Sequence, residues 1–308
     1  MNYIIGLDGG GTKTKCIIAE ETGKPVLETS GGPSGILSIG AEKAALNILE
    51  LINSGINQLN ASIENVTIIL AGVAGAGRKI HADQLKSLLL GKLPEGFTNV
   101  YIESDARIAL EGALAGESGA VLIAGTGSVI FGKDNSEKIH RAGGFGRVIG
   151  DEGSGYSIGV KTLRLISGMI DGRKSAGKIF ERFRDIFHIN NEDDLINLVH
   201  NPGFDIASVA MFTIKSADEG INEAKEILEE ESEELIKQIK AIKIRIGPGQ
   251  LKLVMVGSLL ENNNCYSQIL VKKIKKIKNI EIVERKYSPG MGAVIMARKI
   301  LTAKESHQ

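Results

Sequence analysis

The chain has no tryptophan, only 4% aromatic residues, two cysteines and six prolines among 308 residues. So few aromatics argue against a binder that stacks nucleic-acid bases. Thirty-seven Lys plus Arg balance thirty-seven Asp plus Glu, so no net field draws the protein to nucleic acid or to an anionic membrane, and a charged ligand must be met locally. Cys16 and Cys265 are far apart in apolar surroundings. They form neither a disulfide framework nor a metal motif, and small buried thiols in a reducing cytoplasm are the expectation. No run approaches the roughly 20 apolar residues that span a bilayer, and the amino terminus lacks a basic segment followed by an apolar one. A cytoplasmic protein without a membrane or nucleic-acid partner is expected.

What is abundant is glycine, with 38 residues, which points to many tight backbone approaches and suits ligand loops better than disorder. The length exceeds what one hydrophobic core supports, so two domains are expected. Residues 2–8, 12–20 and 25–30 read as an antiparallel meander with a turn at Glu21-Thr22-Gly23-Lys24. Apolar spacing predicts a helix over 40–56, then a buried strand NVTIILAGVAG, a helix over 81–90, the strand VYIES and the helix ARIALEGALAG. From Gly119 the pattern restarts. GAVLIAGTGSVIFGKD supplies strand, glycine turn and strand, and EKIHRAGG a third strand. A long helical region follows over 154–246, whose acidic run EEESEE reads as a solvated face. LKLVMVGS, a helix to about 277, IEIVE and the helix SPGMGAVIMARKIL complete the chain.

Two strand–turn–strand units carry glycine bends, DGGGTK at 8–13 and AGTGS at 124–128. Such bends aim backbone N–H groups at a concavity that accepts phosphate oxygens, although either could be a plain hairpin turn. Neither is a Walker loop or a dinucleotide fingerprint, since no Gly-Lys-Ser/Thr and no helix follows the glycines. A carboxylate at Asp8 beside phosphate is tolerable when a divalent cation lies between them.

In chain order, DGGGTKTK, SDARIALEGA, IAGTGSV, RAGGFGRVIGDEGSGY, VMVGS and SPGMGAVIMA resemble the nucleotide-site segments of the actin-like ATPase and sugar kinase superfamily. Within it the sequence resembles the BadF/BadG/BcrA/BcrD ATPase family, in its N-acetylglucosamine-kinase-like and archaeal hexokinase-like branch. The resemblance covers essentially the whole chain. It implies an α/β fold of two ribonuclease-H-like lobes with a central cleft, one over residues 1–115 plus 289–308 and the other over 116–288 with a helical insertion, commonly as a homodimer. It also implies ATP and Mg2+ as cofactors and a small carbohydrate as substrate.

Carried over by residue, the resemblance gives Asp8 to Mg2+ through water, and Gly10, Gly11, Thr12, Lys13, Thr126, Gly127 and Ser128 to phosphate. Gly257 and Ser258 fall to adenosine. Asp105 falls to the catalytic base that takes the proton of the attacking hydroxyl, with an N-cap for the following helix as its alternative. Gly143, Gly144 and Asp151 fall to the sugar, Asp151 and Glu152 having helix capping as the alternative. The related kinases place a sugar-reading asparagine where this chain has Gly35, beside Ser34. Arg107 and Arg147 replace mostly neutral or aromatic residues, and arginine suits a carboxylate. The acceptor is therefore an amino sugar, a hexose or a sugar acid such as 2-keto-3-deoxygluconate, unless both arginines merely pair with surface acids. An activator ATPase of the same family would need cysteines bridging an iron–sulfur cluster, which Cys16 and Cys265 do not suit.

Overall fold

The computed structural model describes residues 1–305 and divides into two compact units, one of residues 1–117 with 284 onward, the other of 118–283. The segment 284–288, expected with the second unit, belongs to the first. Lys286 N donates to Ala113 O at 3.0 Å, Tyr287 N to Gly112 O at 3.1 Å, and Lys286 Nζ pairs with Glu117 at 2.9 Å.

In the first unit the strands are β1 (Tyr3–Gly9), β2 (Thr14–Glu20), β3 (Pro25–Gly31), β4 (Val66–Val73) and β5 (Val100–Ser104), in the sheet order β3-β2-β1-β4-β5. β1 pairs antiparallel with β2 and parallel with β4, as a meander followed by a crossover requires. β2 starts two residues later than its apolar pattern suggests, since Gly10 N donates to Lys13 O at 3.0 Å and holds Thr12 and Lys13 in an exposed turn.

β1 reads as a continuous apolar run because both of its faces are covered. Ile5 and Leu7 pack with Ile48, Ile52 and Leu85 of α2 (Ala41–Gln58) and α3 (Lys79–Leu90). Ile4 faces Ile108 of α4 (Asp105–Ala113) and Val294 and Ala297 of α11 (Pro289–Glu305). Each fully buried isoleucine contributes roughly 1.5–3 kcal/mol. Close seating of α11 explains part of the glycine excess: a Cβ on Gly6 would lie 2.6 Å from Gly290 O. The short helix α1 (Ile36–Ile39) has no periodic signal, being a single turn.

The second unit repeats the plan. β6 (Gly119–Ala124), β7 (Ser128–Lys133), β8 (Ile139–Gly143), β9 (Leu251–Val256) and β10 (Ile280–Ile282) run in the order β10-β9-β6-β7-β8, the same third-second-first-fourth-fifth arrangement by position. The region read as one helical stretch is broken into α5 (Gly155–Ile170), α6 (Lys178–Phe187), α7 (Glu192–His200), α8 (Val209–Asp218) and α9 (Asn222–Ile246). α10 (Cys265–Ile274) follows β9. These helices cover Leu122, Ile130 and Leu253 of the sheet. The acidic run of α9 is not wholly solvated: Glu231 is 1% exposed, so the solvated-face expectation fails at that residue. No helix among the described residues is long and apolar enough to cross a membrane.

Candidate functional site

In the first unit, β1 carries Asp8 to the edge of the glycine bend, and β5 ends at Ser104 immediately before Asp105. Ser104, not Asp105, caps α4: its Oγ accepts from Arg107 N at 3.1 Å. The capping alternative for Asp105 is thereby set aside. Asp105 occupies the first position of the helix, exposed, where the helix dipole favours a carboxylate. Its Oδ1 accepts from Ala106 N at 2.9 Å. Burial, and next the Asp105 carboxylate, raise the Asp8 carboxyl above its usual 3.8, while Lys15 and Lys13 oppose the rise. The two acids therefore feel each other.

The bend rests on the segment after β3. Ser34 N and Gly35 N both donate to Gly10 O, at 3.0 and 2.9 Å, and a Cβ on Gly35 would come within 3.2 Å of Gly11 Cα. Ser34 is fully buried and its Oγ accepts from Thr14 Oγ1 at 2.7 Å. It braces the bend. The side chain of Arg107 is 15% exposed and forms an ion pair at 2.9 Å with the fully buried Glu111. Glu103 lies near both: burial raises its carboxyl, Arg107 opposes and Glu111 adds to the rise.

In the second unit, the amides opening α5 tie down the other bend: Gly155 N donates to Gly125 O at 2.7 Å and Tyr156 N to Thr126 O at 3.2 Å. Thr126 is exposed, whereas Ser128 is buried and donates its hydroxyl to Glu152 O at 2.6 Å. The residue after β9, Gly257, has a φ of 107° and would drive a Cβ into the backbone of Ala124, so only glycine fits. Ser258 follows it, exposed, near Gly125.

Asp151 also has a positive φ, 61°. Its Oδ1 accepts from Gly146 N at 3.1 Å, and its Oδ2 lies 2.9 Å from where a Cβ on Gly127 would be. Neither it nor Glu152 caps α5. Ser154 does, accepting from Ser157 N at 3.2 Å. Glu152 acts through its carbonyl, which also receives Gln238 Nε2 at 3.2 Å. Gln238 packs against Gly143, and Gly144 takes φ 71° beneath Val129. Arg147 is exposed, its guanidinium 5.8 Å from the centre of the Tyr156 ring.

The side chains that hold this loop come from distant parts of the unit and belong to no motif. Gly153 N donates to Glu231 Oε2 at 2.6 Å, and Gly153 O accepts from Tyr266 Oη at 2.7 Å. Lys161 pairs with Glu231 at 3.0 Å. The one available signal was an acid at a core-facing position of α9, in register with the buried Ile227, Leu228 and Leu235.

The arrangement now has counterparts. The model of the BadF/BadG/BcrA/BcrD ATPase family matches residues 5–297. The chain belongs to that family. Similar to it are the N-acetylmuramic acid/N-acetylglucosamine kinase of Clostridium acetobutylicum, 33% identical over 97% of this chain and 99% of the relative, and the N-acetyl-D-glucosamine kinase of Dictyostelium discoideum, 28% identical over 95% and 97%. A Chromobacterium violaceum protein provisionally named N-acetylglucosamine kinase superposes with a TM-score of 0.70 at 22% identity, covering 96% of this chain and 99% of its own. This likeness gives this BadF/BadG/BcrA/BcrD family member the actin-like ATPase fold, each five-stranded unit being one ribonuclease-H-like lobe.

Proposed function

We propose that the protein is an ATP-dependent kinase that transfers the γ-phosphoryl group to a hydroxyl of an amino sugar. The observation that carries this reading is the placement of two carboxylates in one unit, Asp8 at the edge of a glycine bend and Asp105 exposed at the end of β5. The named activities of the relatives at 33% and 28% identity support it.

Two mutually repelling oxygen-donor groups suit Mg2+, which is bound through one or two carboxylates plus phosphates and keeps several waters. Among the described residues no group of three or more His, Cys, Asp or Glu is placed to hold a metal ion by itself. Asp8 would hold the ion through water, and the ion would neutralise charge on the phosphates. Asp105 takes the proton of the attacking hydroxyl. Gly11, Thr12 and Lys13 receive phosphate oxygens, as do Thr126 and Gly127, while Gly10 closes its bend through the amide on Lys13 O. Ser128 and Ser34 act by bracing their bends, Gly35 by letting its segment approach, and Gly257 and Ser258 line the nucleoside side. Gly143, Gly144 and Asp151 meet the sugar.

An iron–sulfur activator is the weaker reading. Cys16 is fully buried in β2 with burial pushing its thiol to about 12, far from the thiolate a cluster needs. A coupled ADP assay across N-acetylglucosamine, glucosamine, N-acetylmannosamine, glucose and 2-keto-3-deoxygluconate tests the proposal. ADP release should depend on an amino sugar and on Mg2+, and brisk hydrolysis without sugar would defeat it.

A further inference from the structure

The two arginines that set this chain apart have different surroundings. Arg107 is committed to a buried acid, Glu111. Arg147 is exposed and forms no ion pair among the described residues, and its recorded contact is the Tyr156 ring. Its loop is nevertheless built. Ile149 N and Gly150 N close back on Gly146 O at 3.2 and 2.9 Å, and Gly146 N is held by Asp151. At the loop's start, Arg141 Nε donates to Gly143 O at 3.1 Å. At its end, Glu231 and Tyr266 grip Gly153 from both sides of the peptide.

Two independent links place Arg147 beside the second glycine bend. Tyr156, over which the guanidinium lies, donates its amide to Thr126 O, and Asp151, which holds the loop, lies against Gly127. Around the cation the loop exposes Phe145, Val148 and Ile149, at 70%, 89% and 75%. A lone guanidinium in an apolar rim complements a short arm that ends in a carboxylate better than it complements a neutral hydroxyl.

Resting on the kinase reading above, we propose that Arg147 reads a carboxylate on the sugar, so that the preferred acceptor is an acidic amino sugar rather than a neutral one. Asp151 meets a hydroxyl and Arg147 the acid, the two charges excluding each other's partners.

Steady-state kinetics with the full chain test this on N-acetylmuramic acid, its methyl ester and N-acetylglucosamine. The ester keeps the bulk of the side arm and removes only the charge. The unmodified protein should prefer the acid over the ester by tenfold or more in kcat/KM. Arg147→Ala should raise KM for the acid about 10–100-fold, as loss of a charge-assisted hydrogen bond does, and at least ten times more than it raises KM for the ester. Arg147→Lys should recover part of the loss by keeping the charge without the fork. The acid-to-ester ratio needs no variant and decides the matter even if substitutions unfold the loop.

Equal use of acid and ester overturns the assignment. So does an Arg147→Ala effect that is the same for both sugars or falls on KM for ATP, which would place the guanidinium on phosphate. Turnover of N-acetylglucosamine with none of the acid overturns the carboxylate assignment alone. No turnover with any sugar overturns it together with the kinase reading.

Discussion

The two units share a strand order and a glycine bend but not a chemistry. Matched at the last strand pairs before each bend, Gly9 with Thr14 and Ala124 with Ser128, the position of Asp8 in the first unit is that of Ile123 in the second. After the fifth strand, the first unit presents Asp105 at the start of a helix, whereas the second ends at Val283. Conversely, the connection between the third and fourth strands is α1 and α2 in the first unit and a loop plus five helices in the second. On the proposed reading, both copies turn a glycine bend toward phosphate. Acid chemistry is concentrated in the copy with the short connection, and the loop proposed to discriminate sugars hangs on the copy with the long one.

That division predicts that substitutions in the first unit act on kcat and those in the second on KM. The largest effect belongs to Asp105→Asn, expected to lower kcat by about two to four orders of magnitude while calorimetry still detects ATP and sugar binding. A loss of binding of equal size would break the division.

Asp8→Asn should cost about 10–100-fold in Mg2+-dependent rate, the usual scale for a group that acts on a metal through an intervening ligand. It should also stabilise the protein without nucleotide at neutral pH. The Asp8 carboxyl is raised above 3.8 in the fold, so the folded state binds a proton more tightly than the unfolded one. Its favourable contribution is full below the unfolded pKa and is lost as pH rises through the folded value. Asparagine removes that loss, so Tm against pH should flatten in the acid range. A lower Tm at neutral pH would refute the cost that burial, and next the Asp105 charge, place on the Asp8 carboxylate.

The smallest effect is expected from Tyr266→Phe, which leaves Gly153 O buried without its donor and costs about 1–3 kcal/mol. Tm should fall, and KM for the sugar should rise more than KM for ATP. An unchanged sugar KM would mean that the grip on Gly153 serves stability alone.

Much of this was legible from residue order. Local patterns are carried by neighbours along the chain, so the meanders, the crossover strands and both bends follow from alternation, apolar runs and glycine placement. Asp8 stood out as a carboxylate at a bend shaped for phosphate, and Asp105 because it ends a strand where the resemblance puts the catalytic base. The acidic run of α9 misled because charge patterning sees composition and not partners: Glu231 is buried by Gly153 N and Lys161, both distant in sequence. The arginines were likewise equivalent as letters, and Glu111 alone separated them.

By itself, then, the order of amino acids determined the class of fold, its internal repeat, the family and the positions of the two acids, all of which depend on periodicity and local backbone chemistry. Only the tertiary structure decided which polar groups are committed and which stay open. Ser34, Ser128 and Arg107 have their hydrogen bonds or charge satisfied by residues the fold brings to them, whereas Thr126, Asp105 and Arg147 remain exposed. Burial forces a polar group to take a partner, and burial is a property of packing, which no single stretch of sequence contains.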